Sequence, residues 1–121
     1  MSNESLSVLP SVARTAATTS STFTNYAHHG AHVIVNVTVA ATAGSITPTI
    51  QGFDEVTQAY YDLLVGAAIT TTGVTVLKVY PGITAVANGS TSDFLPIKWR
   101  VSMAVATADS YTYTVSANLE T

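Results

Sequence analysis

The residues best suited to chemistry in this sequence are three histidines close together, His28, His29 and His32. Imidazole nitrogens bind divalent metals, and on a β-strand residues 28 and 32 share one face. A catalytic or structural metal site needs a third or fourth ligand, and no aspartate stands at a spacing that identifies it as the partner. The favoured interpretation is therefore a polar start of a strand, and no metal ligand is assigned.

Acid–base and nucleophilic chemistry have weaker candidates. Asp54 and Glu55 are adjacent carboxylates in a predicted turn, whereas glycoside hydrolysis needs two carboxylates about 5–10 Å apart across a groove. Serine is abundant, but no strand–turn–helix nucleophile elbow accompanies it. We assign no catalytic and no cofactor-binding residue, and we predict a protein that is not an enzyme and takes no small-molecule substrate.

The composition limits the partners. The chain has 121 residues, a formal net charge of −3 and no cysteine. Its four basic residues, Arg14, Lys78, Lys98 and Arg100, are scattered, whereas nucleic-acid binding needs clustered positive charge. No apolar run approaches the roughly 20 residues of a membrane span. The first twenty residues lack the pattern of a secretory signal, so we expect assembly in a reducing cytoplasm, without nucleic acid or membrane as partner.

Charged residues make up only 9% of the chain, and hydrophobic residues 47%. An ordinary soluble domain has about 25% charged residues. Two explanations stay open at this point. Either Thr and Ser coat and solvate the surface, or other subunits cover much of it.

The clearest structural signal is an alternation of apolar and polar residues in 97–106 and again in 111–119. A period of two places successive side chains on opposite faces of a sheet. With a short turn at Thr107–Asp109, the two runs predict a long antiparallel hairpin. In Trp99, Tyr111 and Tyr113 we expect core residues.

Further strands are predicted at Ala31–Ala41, at Ile46–Phe53 and at Gln58–Val65, the last two joined by a four-residue hairpin loop. Pro48 lacks a backbone donor, which favours an edge strand or a bulge there. Seven to nine short strands separated by turns are typical of an all-β sandwich or barrel. We predict an antiparallel β-sandwich, with jelly-roll strand order as the first choice.

The N-terminal residues 1–21 are rich in Ser, Thr and Ala and show no sustained period. We predict a flexible arm over residues 1–21 and a β-sandwich domain over 22–121, because such a segment cannot offset its ordering entropy alone. Leu6, Val8 and Leu9 form a small apolar patch in the arm. If the arm docks on a capsid or on a neighbouring subunit, these three side chains are the expected contacts.

A resemblance adds to this interpretation. The run from Ile46 through Tyr60 to Thr70, the run Val76–Ala85 and the segments around Trp99 and Tyr111 resemble small all-β virion proteins of tailed bacteriophages. The resemblance covers residues 31–121 and leaves out the arm. It implies a capsid decoration or cement protein, often trimeric, that binds the major capsid protein on the exterior of the head.

Two other functions stay open. Another virion position, in the tail or at the head–tail junction, fits the same resemblance. A carbohydrate-binding or adhesin module is the alternative from a different class, since exposed tyrosines stack on sugar rings. For that function Tyr60, Tyr61 or Tyr80 would have to form an exposed stacking strip.

Overall fold

The computed structural model describes residues 4–106 and 110–121, and every element in this part of the chain is a β-strand. The strands are β1 (Glu4–Arg14), β2 (Thr18–Thr19), β3 (Phe23–Thr24), β4 (Gly30–Val39), β5 (Ile46–Asp54), β6 (Ala59–Val65), β7 (Gly73–Val79), β8 (Ser90–Thr91), β9 (Lys98–Val105) and β10 (Tyr111–Glu120).

The strands form two sheets that share one core. Sheet 1 has the order β1-β10-β4-β7-β8, and sheet 2 has the order β2-β9-β5-β6, with β3 also pairing β9. All of these pairs are antiparallel except the short parallel pair of β7 and β8. The predicted all-β sandwich with antiparallel strands is confirmed.

The core lies between the inward faces of β10 and β4 from sheet 1 and of β9 and β5 from sheet 2. On β10 every second residue from Tyr111 to Leu119 is buried, and β9 alternates in the same way through Trp99, Val101 and Met103. Because apolar positions recur at a spacing of two, each strand turns one face inward. Trp99, Tyr111 and Tyr113 are fully buried, so the prediction that they are core residues is confirmed.

The predicted hairpin between residues 97–106 and 111–119 is wrong. β9 pairs with β5 in sheet 2, whereas β10 pairs with β1 and β4 in sheet 1. The alternation identifies the inward face of each strand but not its neighbour, and two inward faces can also meet across the core. The turn predicted at Thr107–Asp109 lies outside the described residues.

The N-terminal segment also differs from the prediction. Glu4–Arg14 is not a free arm but the edge strand of sheet 1, paired with β10 from Glu4↔Leu119 to Arg14↔Tyr111. Thr18–Thr19 likewise belongs to sheet 2. Val8 and Leu9 are buried in the core, and their burial together with the backbone ladder offsets the ordering entropy. A domain boundary at residue 21 therefore separates strands that share one core.

The hairpin of β5 and β6 is close to its prediction. Its loop is Glu55–Gln58, one residue later than expected, and Gln58 has a φ of 57°. Pro48 is not on an edge strand, because β5 lies between β9 and β6. The Pro48 carbonyl accepts a hydrogen bond from the Gly66 N–H at 2.7 Å. Because the carbonyl and the nitrogen of one strand residue point to the same side, the Pro48 nitrogen also faces β6, just beyond its paired residues. The register shift between β5 and β6 lies instead between Ile50 and Gln51, and its extra residue is Leu63 on β6.

Candidate interaction surfaces

The predicted contact residues of the arm lie in this chain's own fold. Val8 and Leu9 are 7% and 8% exposed and belong to the main hydrophobic cluster, and Leu6 is partly buried against it. In this fold Val8 and Leu9 face inward and are not available to a partner. The expectation that all three side chains contact a capsid or a neighbouring subunit is therefore corrected for Val8 and Leu9, which lie in the core.

The three histidines do not form the predicted pair on one strand. β4 begins at Gly30, so His28 lies in the preceding loop, while His32 lies on the outer face of β4. The His32 Nε2 atom is 3.4 Å from Glu120 Oε1. Among residues 4–106 and 110–121, no group of three or more His, Cys, Asp or Glu side chains is arranged to hold a metal.

The carboxylates Asp54 and Glu55 are held by their turn. Asp54 accepts from the Val56 N–H at 3.0 Å and from the Thr57 hydroxyl at 2.9 Å. These hydrogen bonds, that of Thr57 first, lower the pKa of Asp54 because they stabilise its ionised form. Glu55 lies 3.0 Å from Lys98 Nζ. Both carboxylates thus have local structural partners.

The outer face of sheet 2 carries a network that the sequence did not predict. The Arg100 guanidinium lies 3.4 Å from the centre of the Tyr60 ring, and its Nε donates to Gln51 Oε1 at 2.8 Å. Gln51 Nε2 in turn donates to Asp62 Oδ1 at 3.0 Å. The Tyr60 hydroxyl also shares a hydrogen bond with Thr22. The network ties β9, β5, β6 and the segment before β3 together across the face.

Of the tyrosines considered as a sugar platform, Tyr80 lies apart from Tyr60 and Tyr61. Tyr60 is under Arg100 on the outer face of sheet 2, whereas Tyr61 packs over Gly52, one residue further along β6. Tyr80 follows β7 of sheet 1 and donates its hydroxyl to the Thr121 carbonyl at 2.7 Å. The three rings do not form one exposed strip.

Two loops meet at the end of the sandwich where β4 and β9 begin. Asn25 is only 6% exposed, and its N–H donates to the Ile97 carbonyl at 2.6 Å. Its side-chain amide donates to the carbonyls of His28 and Leu95, and its side-chain oxygen accepts from the His28 N–H. The Leu95 N–H donates to the His29 carbonyl at 2.8 Å. Residues 25–29 and 93–97 are thereby fixed to each other.

These joined loops hold large apolar side chains out in solvent. Tyr26 is 90% exposed, Ile97 64% and Phe94 59%. They line one shallow groove together with neighbouring residues of both loops. We call Tyr26, Phe94 and Ile97 the end patch. No sequence pattern predicts the end patch, because isolated apolar residues in loops show no period.

A second apolar region lies on the outer face of sheet 1. Val74 and Val76 of β7 are 63% and 38% exposed, and Val76 is paired with Ile34 of β4. This pairing explains why Ile34 breaks the polar side of its strand. The neighbouring outward positions on β10 are Thr112, Thr114 and Ser116, so this part of the face is uncharged.

Comparisons with protein-family models, curated proteins and solved structures find no match for this chain. Between residues 4 and 106 and from 110 to 121 there is no helix long and apolar enough to cross a membrane.

Proposed function

We propose that this protein is a structural part of a bacteriophage particle, a capsid decoration protein that binds the exterior of the head and stabilises the shell. One observation carries the proposal most directly. A filled core coexists with large apolar side chains, those of the end patch, held exposed by a hydrogen-bonded frame. Contiguous exposed apolar surface marks interaction sites.

The chemistry of the described residues supports a binding role over catalysis. The carboxylates Asp54 and Glu55, and the cations Lys98 and Arg100, have partners within the fold. Neither the groove of the end patch nor a second shallow depression, which Asp54, Glu55 and Tyr60 help to line, contains a set of three candidate metal ligands among the described residues. A binding role needs neither a free catalytic side chain nor a metal site.

The strand order supports a finer assignment of the fold. We infer a jelly roll, because in β1-β10-β4-β7 of sheet 1 and β2-β9-β5-β6 of sheet 2 all neighbouring strands except the β5–β6 hairpin are distant in sequence. In this arrangement the chain passes repeatedly between the two sheets. Jelly rolls occur in viral capsid proteins and in lectins, although a fold alone does not define a function.

The partner is proposed from the resemblance of residues 31–121 to small phage virion proteins. In this proposal the exposed apolar surface is buried across capsid subunit boundaries, so that opening the shell must expose it again. Burial contributes roughly 25 cal/mol for each Å² of apolar surface. Repeated contacts on a symmetric shell would convert weak single contacts into firm attachment.

The experiment is to mix the purified full-length protein with expanded, undecorated capsids and to measure occupancy by cosedimentation and negative-stain microscopy. We expect regular occupancy at fixed lattice positions and a higher temperature of capsid disruption. No binding to the capsids of the phage that encodes the protein would refute the proposal. A deletion of residues 1–12 is unsuitable, because it removes Val8 and Leu9 from the core.

A sugar-binding module is the second candidate, and one depression favours it. Phe53, Tyr60 and Tyr61 line this depression beside the carboxylates of Asp54 and Glu55, a combination of aromatic and polar groups that sugars bind. A glycan array tests it. Binding that Phe53→Ala abolishes would support the module, and an array without binding would eliminate it.

A further inference from the structure

We propose that the end patch is a self-association surface, which a second copy of this chain covers around a rotation axis. This inference goes beyond the capsid proposal, because it concerns the isolated protein in solution. It rests on the exposure, rigidity, size and charge of the patch.

The side chains of the end patch are exposed, and the loops that carry them are rigid. Val56 and Tyr26 are the two most exposed large apolar side chains of the described residues, followed by Ile97. Tyr26 follows directly on the buried Asn25, whose three side-chain hydrogen bonds fix the loop. Because the loop backbone is already ordered, less conformational entropy is lost when a partner covers its side chains. Tyrosine held in this way is typical of the residues that dominate binding energy.

The size of the end patch fits a contact between two copies. An aromatic side chain buries about 150–250 Å², so Tyr26, Phe94 and Ile97 at their observed exposures offer roughly 450 Å². Two copies meeting through this patch bury roughly 900 Å², and neighbours such as Ala27 and His29 add to it. That total approaches the about 1,000 Å² expected of a biological interface.

The charge of the two loops favours a second copy as the occupant. Around a two-fold axis the same patch serves both copies, so the charged groups of the patch come close to those of its copy. Residues 25–29 and 93–97 contain no Lys, Arg or Glu, and their one carboxylate is Asp93. The Asp93 side chain accepts from the Phe94 N–H at 2.8 Å. Self-contact therefore brings few like charges together.

Sedimentation equilibrium of the full-length protein tests the inference. Tyr26→Ser and Ile97→Ser are compared with Val74→Ser, a matched control because Val74 is 63% exposed and Ile97 is 64%. We expect the wild type to self-associate, and each end-patch substitution to weaken association at least about tenfold, as for a central interface residue. Val74→Ser should leave association unchanged. Thermal melts of all three variants verify that they are folded.

A wild type that stays monomeric up to its solubility limit would overturn the inference, and so would equal weakening by Val74→Ser. Capsid binding is read separately. Binding by a monomer refutes self-association through the end patch and leaves the decoration proposal standing. Self-association without capsid binding supports the end patch as a self-association surface and refutes the decoration proposal.

Discussion

Ser20 and Val101 are joined by two reciprocal hydrogen bonds. The Ser20 N–H donates to the Val101 carbonyl at 2.9 Å, and the Val101 N–H donates to Ser20 Oγ at 3.0 Å. Ser20 lies between β2 and β3, both of which pair with β9. Its side-chain oxygen takes the place of a backbone carbonyl, so that the edge of β9 is satisfied where the regular ladder is interrupted.

Ser20→Ala should destabilise the protein. The substitution leaves the Val101 N–H buried without its acceptor, and Val101 is fully buried. An unsatisfied buried donor costs about 1–3 kcal/mol, measured as the free energy of unfolding in urea. Ser21→Ala is the control, since Ser21 is exposed and contributes its backbone carbonyl. Equal stability of the two variants would contradict the role of the Ser20 hydroxyl.

Tyr113→Phe should be neutral or stabilising. Tyr113 is fully buried, and its hydroxyl has no hydrogen-bond partner among the described residues. Removing it relieves a desolvation cost of about 1–3 kcal/mol, while the ring beneath Arg14 is retained. Thermal melting and urea unfolding measure the change.

Tyr111→Phe is the matched comparison. Tyr111 lies two residues earlier on the same face of β10 and is equally buried, but its hydroxyl donates to the Gly44 carbonyl at 3.0 Å. We expect Tyr111→Phe to cost about 1 kcal/mol or more. If both variants lose the same stability, the Tyr113 hydroxyl has a partner after all.

The sequence predicted β4, β5, β6, β9 and β10 close to their observed bounds but missed β1, and it predicted the neighbours of most strands poorly. A period of two identified β4, β9 and β10 with their inward faces, because burial of one face requires alternation, whereas β5 was predicted from an apolar run. The partner of a strand depends on contacts between distant residues, which periodicity does not contain. This is why β9 and β10 were expected to pair but lie in different sheets.

The surfaces could be predicted only in part. Glu55 lies in the expected turn, and Asp54 is the last residue of the strand before it, where its side chain accepts hydrogen bonds from the turn. The end patch was not predicted, because its position depends on the hydrogen bonds of Asn25 across a separation of 70 residues. Val8 and Leu9 were identified as anchors, but the polar residues around them hid the fact that their contact is with this chain's own core.

Leu9→Ala tests whether β1 belongs to the fold. Leu9 is 8% exposed in the main core cluster, and large-to-small substitutions of buried leucine cost about 2–5 kcal/mol. Leu6→Ala, the same change at a half-buried position of the same strand, should cost clearly less. Urea unfolding gives both values. If neither substitution changes stability, residues 4–14 do not dock, and the flexible arm predicted from the sequence is correct.

Thr57→Val should raise the pKa of Asp54 towards its usual value, because it removes the first of the hydrogen bonds that lower it. The lowered pKa has a consequence for stability. The folded state favours the ionised carboxylate, so its contribution is complete above the ordinary value of 3.8 and is lost as the pH falls through the lower pKa of the folded state. Thr57→Val should therefore flatten the loss of stability on acidification in this pH range.

A carboxyl NMR titration of Asp54, with urea melts between about pH 2 and pH 5, measures both effects. Gln58→Asn is the control, since Gln58 bonds the Glu55 carbonyl in the same turn without contacting Asp54. An unchanged Asp54 titration in Thr57→Val would show that the Thr57 hydroxyl does not hold this carboxylate in its ionised form.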